Sequence, residues 1–151
     1  MRKWLVISAV VVGLDLWTKH LIQVAFVYGD HLTITNFFDL VRYHNTGAAF
    51  SFLADAGGWQ KSFFSSISIM AIIVITYLLY KHSTQKLFCI GLALILGGAI
   101  GNLYDRMTLG YVVDFLYFHY KNFYWPAFNV ADSGICVGVA LLFLDSFKKV
   151  G

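Results

Sequence analysis

Glutamate is absent from this 151-residue chain, so its eight acidic groups are all aspartates. Charge of either sign is scarce: 13% of residues are charged against 59% hydrophobic, and the mean hydropathy is +0.70. Those values exclude an ordinary soluble domain. Eleven Lys and Arg, spread thinly between apolar runs, make no basic patch of the kind that nucleic acid requires. The only two cysteines, Cys89 and Cys136, lie in apolar runs without CxxC or His-flanked spacing. They read as small core residues rather than a disulfide framework or a metal site. Pro126 is the single proline and no internal repeat appears, which weakens the case for a transporter built from broken helices in matching halves. Neither HExxH nor GxSxG occurs, so a zinc protease and a nucleophile-elbow serine enzyme find no support.

What the chain does contain is four apolar runs, at about 4–26, 63–80, 87–103 and 130–147. At 1.5 Å per residue, each can cross a hydrocarbon core of about 30 Å. The first run is interrupted by Asp15 and Lys19. Arg2 and Lys3 before it would also suit a cleaved secretory signal, but no A-x-A-like site follows. The expected architecture is therefore an all-α polytopic membrane protein forming one domain over residues 1–151. Arg2 and Lys3, Lys81 and Lys86, and Lys148 and Lys149 flank the spans on one side. By the positive-inside rule both termini are expected to be cytoplasmic, with loops at about 28–61 and 104–128 outside.

Those loops are rich in β-branched and aromatic residues with partial alternation. His31–Thr35, Asp39–His44 and Tyr111–Phe118 read as short strands of a small extracytoplasmic sheet on the membrane surface. Trp59, Tyr117, Tyr120, Phe123, Tyr124 and Trp125 suit an interfacial aromatic belt.

The polar residues near the spans carry the chemistry. A carboxylate at a bilayer centre costs roughly 2.5 to 3.5 kcal/mol or more, so retained acids usually have work to do. Asp15 and Lys19 are spaced as an i,i+4 ion pair. Gly97 and Gly101 share a helix face that admits a close neighbour. Asn102 and Arg106, also four apart, could form a fixed donor pair for a carboxylate or a substrate carbonyl; a lone Arg at a span end would instead snorkel to phosphate, and Asn102 beside it favours the site reading. Asn129 and Asp132 have the spacing of a helix cap. Capping would favour ionised Asp132, leaving Asp114, among Val112, Val113 and Phe115, to hold a proton shared by the pair. The opposite assignment stays open. Asn45 and Gly47 read as a turn or as part of a site. Asp30, Asp39, Asp55 and Asp105 read as solvated, and Asp145 lies too far along its helix to join Asp132.

Five motifs in register, Asp15–Lys19, Asn45–Ser51, Gly97–Arg106, Val113–Phe115 and Phe128–Ser133, resemble those of the lipoprotein signal peptidases, or signal peptidase II, a family of bacterial membrane aspartic proteases. Tyr104 and Gly134 stand where that family commonly has other aliphatic or small residues. The resemblance implies that Asp114 and Asp132 are the catalytic dyad. It also implies that Asn45, Asn102, Arg106 and Asn129 bind or orient substrate, with Asp15 in support. The implied reaction is cleavage of a prolipoprotein on the amino side of a diacylglyceryl-modified cysteine, at the outer face of the cytoplasmic membrane. No metal or cofactor is called for, the expected partners are lipidated precursors and membrane lipid, and a monomer is the expected state. The rivals are a proton-coupled transporter using Asp15, Asp114 and Asp132, and an assembly subunit docking through Gly97 and Gly101.

Overall fold

A computed structural model describes residues 1–47 and 59–150. Ala48 to Ser51 of the loop motif, and Asp55, lie outside the described residues, as does the side chain of Lys149. In chain order the elements are α1 (Arg2–Ala25), β1 (His31–Thr35), β2 (Phe38–Asn45), α2 (Gln60–Lys81), α3 (Lys86–Thr108), β3 (Val112–Tyr120), β4 (Phe123–Tyr124) and α4 (Val130–Val150). The four helices are long and apolar enough to cross a membrane. The strands form one antiparallel sheet in the order β1-β2-β3-β4. The expected fold class is thus the observed one.

α1 shows how the sequence orders this bundle. Trp4, Ser8, Val11, Asp15, Lys19 and Ile22 are buried, whereas Val6, Val10, Leu14, Trp17, Leu21 and Val24 are exposed. Both stripes follow the 3.6-residue period, but the apolar one faces outward and the polar groups face in. That inversion is what lipid as solvent requires. α3 is the central helix: 56% of its spanning window is buried, against 28% for α1 and 17% for each of α2 and α4.

Close approach to α3 depends on its glycines. A Cβ on Gly97 would sit 2.7 Å from Val11 Cβ and 2.8 Å from the Ser8 carbonyl of α1, and one on Gly98 would sit 2.3 Å from the Ala131 carbonyl of α4. At the end holding both termini, Trp4 donates from its indole to the Ser83 carbonyl between α2 and α3 (3.0 Å), and an apolar cluster of Trp4, Ile75, Leu79, Cys89, Leu92 and Leu96 fills the centre. Chain reversal at the other end uses Gly110 at φ +89°, which ends α3 and starts β3.

Two boundaries differ from the hydropathy reading. α2 begins at Gln60 rather than near 63, and α3 continues past 103 to Thr108. Asn102, Asp105 and Arg106 lower the hydropathy of α3's last turns, yet all three are buried against protein rather than lipid. β4 was not anticipated, being a two-residue strand paired only at His119–Tyr124 and Tyr120–Phe123.

Candidate active site

Two remote segments are stapled together just ahead of α4. The Phe128 N–H donates to the Leu116 carbonyl (3.0 Å), and the Phe128 carbonyl accepts from the N–H groups of Phe115 (3.0 Å) and Leu116 (2.9 Å). Residue 129 is thereby laid alongside 113 and 114. Asn129 Nδ2 donates to Asp114 Oδ1 at 2.8 Å and to the Val113 carbonyl at 3.3 Å. The helix then starts with a reciprocal cap: the Asp132 N–H donates to Asn129 Oδ1 (2.9 Å) and the Asn129 N–H to Asp132 Oδ2 (3.3 Å). One asparagine therefore begins α4 and ties its acid to the acid on β3.

α3 closes the network from the other side. Asn102 Nδ2 donates to Asp132 Oδ1 at 2.8 Å, while its Oδ1 accepts from Asn129 Nδ2 at 3.3 Å. Asn45 at the end of β2 donates to Asp114 Oδ2 at 3.0 Å, and its own Oδ1 accepts the Gly47 N–H at 2.9 Å, so one side chain both closes the turn and reaches the acid. Arg106 is buried rather than snorkelling to the surface: Nη2 donates to the Gly47 carbonyl at 2.9 Å and the guanidinium lies over the Phe64 ring.

Asp114 is 3% exposed. Burial, and then repulsion from Asp132, push its carboxyl up to about 7, against the opposing pull of the Asn45 and Asn129 hydrogen bonds and the Lys19 charge. Near neutral pH it holds a proton about half of the time. Two cavities reach Asp132. One of about 230 Å³ is bounded by Asn45, Trp125, Phe128 and Ser133, and one of about 330 Å³ lies between α2, α3 and α4 beside Phe64, Asn102 and Arg106. A larger hollow of about 530 Å³ sits among Phe37, Phe118, Phe123 and Trp125, away from both acids. Among the described residues, no group of three or more His, Cys, Asp and Glu is disposed to hold a metal ion.

A family model described as signal peptidase (SPase) II matches residues 7–148. The chain belongs to the signal peptidase II family. A lipoprotein signal peptidase of Ralstonia nicotianae is 54% identical over 147 residues, covering 97% of this chain and 85% of that protein. One of Janthinobacterium sp. is 54% identical over all 151 residues, covering 92% of the relative. A bacterial membrane enzyme solved in meso at 2.3 Å resolution shares 29% identity with a TM-score of 0.90, covering 100% of this chain and 91% of that one.

Several expectations need correction within this peptidase fold. Asp105 is not solvated: it is 2% exposed, its Oδ2 lies 3.0 Å from Lys19 Nζ, and it accepts the Val113 N–H at 3.1 Å. Asp39 is buried in the sheet between His119 (3.4 Å) and His31 (3.8 Å). Asp30, by contrast, stays partly exposed, in keeping with the solvated reading, and accepts the Val27 N–H at 2.8 Å. Cys89 is buried as expected, but Cys136 is exposed and borders both cavities beside Asp132. The signal for Asp105 was its spacing. Gly97, Gly101 and Asp105 form one i,i+4 stripe, and Gly98, Asn102 and Arg106 form the next. The first stripe meets Val11, Asp15 and Lys19 of α1, and the second meets Ala131 and Asp132 of α4. Asp15 and Lys19 pair at 2.7 Å with both side chains buried, as their spacing predicts.

Proposed function

We propose that the chain is one peptidase domain, an aspartic endopeptidase that removes the signal peptide from diacylglyceryl-modified prolipoproteins, cleaving on the amino side of the lipidated cysteine. The observation that carries this reading is the pair Asp114 and Asp132, bound into one amide network by Asn129 and Asn102, with the Asp114 carboxyl raised to about 7. Two neighbouring carboxyls, one of which retains a proton near neutral pH, can supply a base and an acid at one site.

In the first step Asp132 takes a proton from a water whose oxygen attacks the amide carbon, and Asp114 gives its proton to the carbonyl oxygen. The tetrahedral intermediate then collapses: the C–N bond breaks, Asp132 returns its proton to the leaving amine, and Asp114 recovers one from the hydroxyl. Asn45 and Asn129 hold Asp114 from both oxygens, and Asn102 and the helix cap hold Asp132. Arg106, beside Asp132 in the cavity between α2, α3 and α4, is placed to orient substrate.

The basic residues at the terminal end of the bundle support a reading in which both termini are cytoplasmic and the sheet and acids lie at the outer face of the cytoplasmic membrane. There a scissile bond at the lipid surface meets the dyad while acyl chains remain in the bilayer, and the enzyme acts as a monomer with lipid against the exposed stripe of α1. A transporter would need charged groups along a route through the membrane, whereas among the described residues the buried charged side chains, Asp15, Lys19, Asp39, Asp105, Arg106 and Asp114, lie in the sheet half. The test is cleavage by purified enzyme of one precursor with and without its diacylglyceryl group. Only the lipidated form is processed efficiently on this account. Equal processing of both would remove the lipid-substrate claim while leaving proteolysis standing.

A further inference from the structure

Lys19 is 1% exposed and surrounded by oxygen: its Nζ lies 2.7 Å from Asp15 Oδ2 and 3.0 Å from Asp105 Oδ2, and donates to Asn102 Oδ1 at 3.1 Å. Each of these three partners passes its restraint on. Asp15 Oδ1 accepts the N–H of Ala131 at 2.9 Å, and Ala131 immediately precedes Asp132. Asp105 Oδ2 accepts the N–H of Val113 at 3.1 Å, and Val113 immediately precedes Asp114. Asn102 Nδ2 donates to Asp132 Oδ1 at 2.8 Å, and it can do so only while its Oδ1 faces the other way, towards the Lys19 ammonium, which donates and never accepts, and the more distant Asn129 amide at 3.3 Å. Gly101 leaves the room: a Cβ there would stand 2.5 Å from Asp15 Oδ2.

We propose that Lys19 is the positioning residue for both acids, a buried cation that fixes the backbone just before Asp114 and just before Asp132 and sets the orientation of the Asn102 amide between them. The inference rests on the assignment of those two acids as the reacting pair. Lys19 touches neither acid. It acts through two carboxylates and one amide, each one bond from the site, so its loss displaces both acids together. Its charge also bears on the proton at Asp114. The groups facing Asp114 are Asp132 of α4, Asn45 of β2, Asn129, Lys19 of α1 and, more distantly, Arg106 of α3; Lys19 and Arg106 are the cations among them. Removing Lys19 therefore lets Asp114 keep its proton to higher pH.

The experiment uses the full chain in lipid with a lipidated precursor. It compares wild type, Lys19→Met, Lys19→Arg, Asp114→Asn and Asp132→Asn for kcat, KM and the alkaline limb of the pH profile. Lys19→Met is expected to lower kcat about 100-fold, the scale of an ångström-sized misplacement, with little change in KM. Its alkaline limb should move upward by roughly half a pH unit or more. Lys19→Arg keeps the charge in a different shape, so it should lower kcat while leaving the limb in place. Lys19→Met leaves two carboxylates buried without a cation and can fail to fold. The variant Asp15→Asn, Asp105→Asn, Lys19→Met removes the charges of this cluster and retains acceptors for Ala131 and Val113. Its kcat should still fall because the Asn102 amide has lost its cation, though by less than in Lys19→Met, and its alkaline limb should not rise because two anions leave with one cation; an unchanged kcat in this variant would overturn the inference. Inactive Asp114→Asn and Asp132→Asn beside a Lys19→Met enzyme of unchanged kcat and limb per folded molecule would overturn this inference alone. Substantial cleavage by both aspartate variants would overturn the assignment of the acids and this inference with it.

Discussion

The two ends of the helix bundle are held by opposite chemistry. At the end with both termini, the helices meet through Trp4, Ile75, Leu79, Cys89, Leu92 and Leu96. At the sheet end α1, α3 and the start of α4 meet through Asp15, Lys19, Asn102, Asp105, Arg106 and Asn129. In lipid there is no hydrophobic gain from bringing apolar helices together, so the first end depends on fit alone. The second depends on every buried charge and amide having its partner, and a missing partner leaves a charge with neither water nor counterion. With the proposed dyad at the polar end, tolerance is expected of the apolar end and sensitivity of turnover at the polar one.

The sharpest way to break this comparison is at the acids. Asp114→Asn and Asp132→Asn are each expected to lower cleavage of a lipidated precursor by about 10² to 10⁴-fold, the range for losing an acid or base, while the inserted protein stays folded. A paired substitution gives smaller effects and sharpens the contrast. Gly101→Ala at the polar end puts a methyl group 2.5 Å from Asp15 Oδ2 and forces that carboxylate away from Lys19 and from the first turn of α4. It should lower turnover about tenfold through misplacement. Leu79→Ala at the apolar end, where the side chain is fully buried, should cost about 2 kcal/mol of stability by leaving a cavity, with turnover per folded molecule unchanged. Thermal unfolding in lipid and initial rates on the same samples measure both. An equal loss of turnover in the two variants would mean that the ends are not separable.

The apolar end and the strands were legible in the sequence because both follow short periods. β1 occupies His31–Thr35 as its alternation predicts, and Asp15 and Lys19 pair across one helical turn. The convergence of Asp114 and Asp132 was legible only through the motifs around them. No local period reports that the Phe128 pairing with Leu116 lays Asn129 against β3. Asp105 was misread because an acid at a span end is ordinarily solvated, and its partner Lys19 lies 86 residues away in sequence, where only the glycine stripe on α3 points to α1. Cys136 was misread for the converse reason. An apolar run does not distinguish a side chain facing the bundle from one facing a cavity or lipid, and this one borders the cavities at Asp132.

The central claim is that Asp114 carries the proton that the pair works with. Its carboxyl is raised from 3.8 to about 7, so the folded protein binds this proton more tightly than the unfolded chain does. The group's contribution to stability is full below about pH 4 and is lost as pH rises to about 7. Infrared titration of the protein in lipid tests this directly. The account predicts a protonated-carboxyl band that disappears as pH rises through about 7 and is missing from Asp114→Asn. A band lost by about pH 5, in the ordinary carboxylate range, or one that persists unchanged in Asp114→Asn, would contradict it.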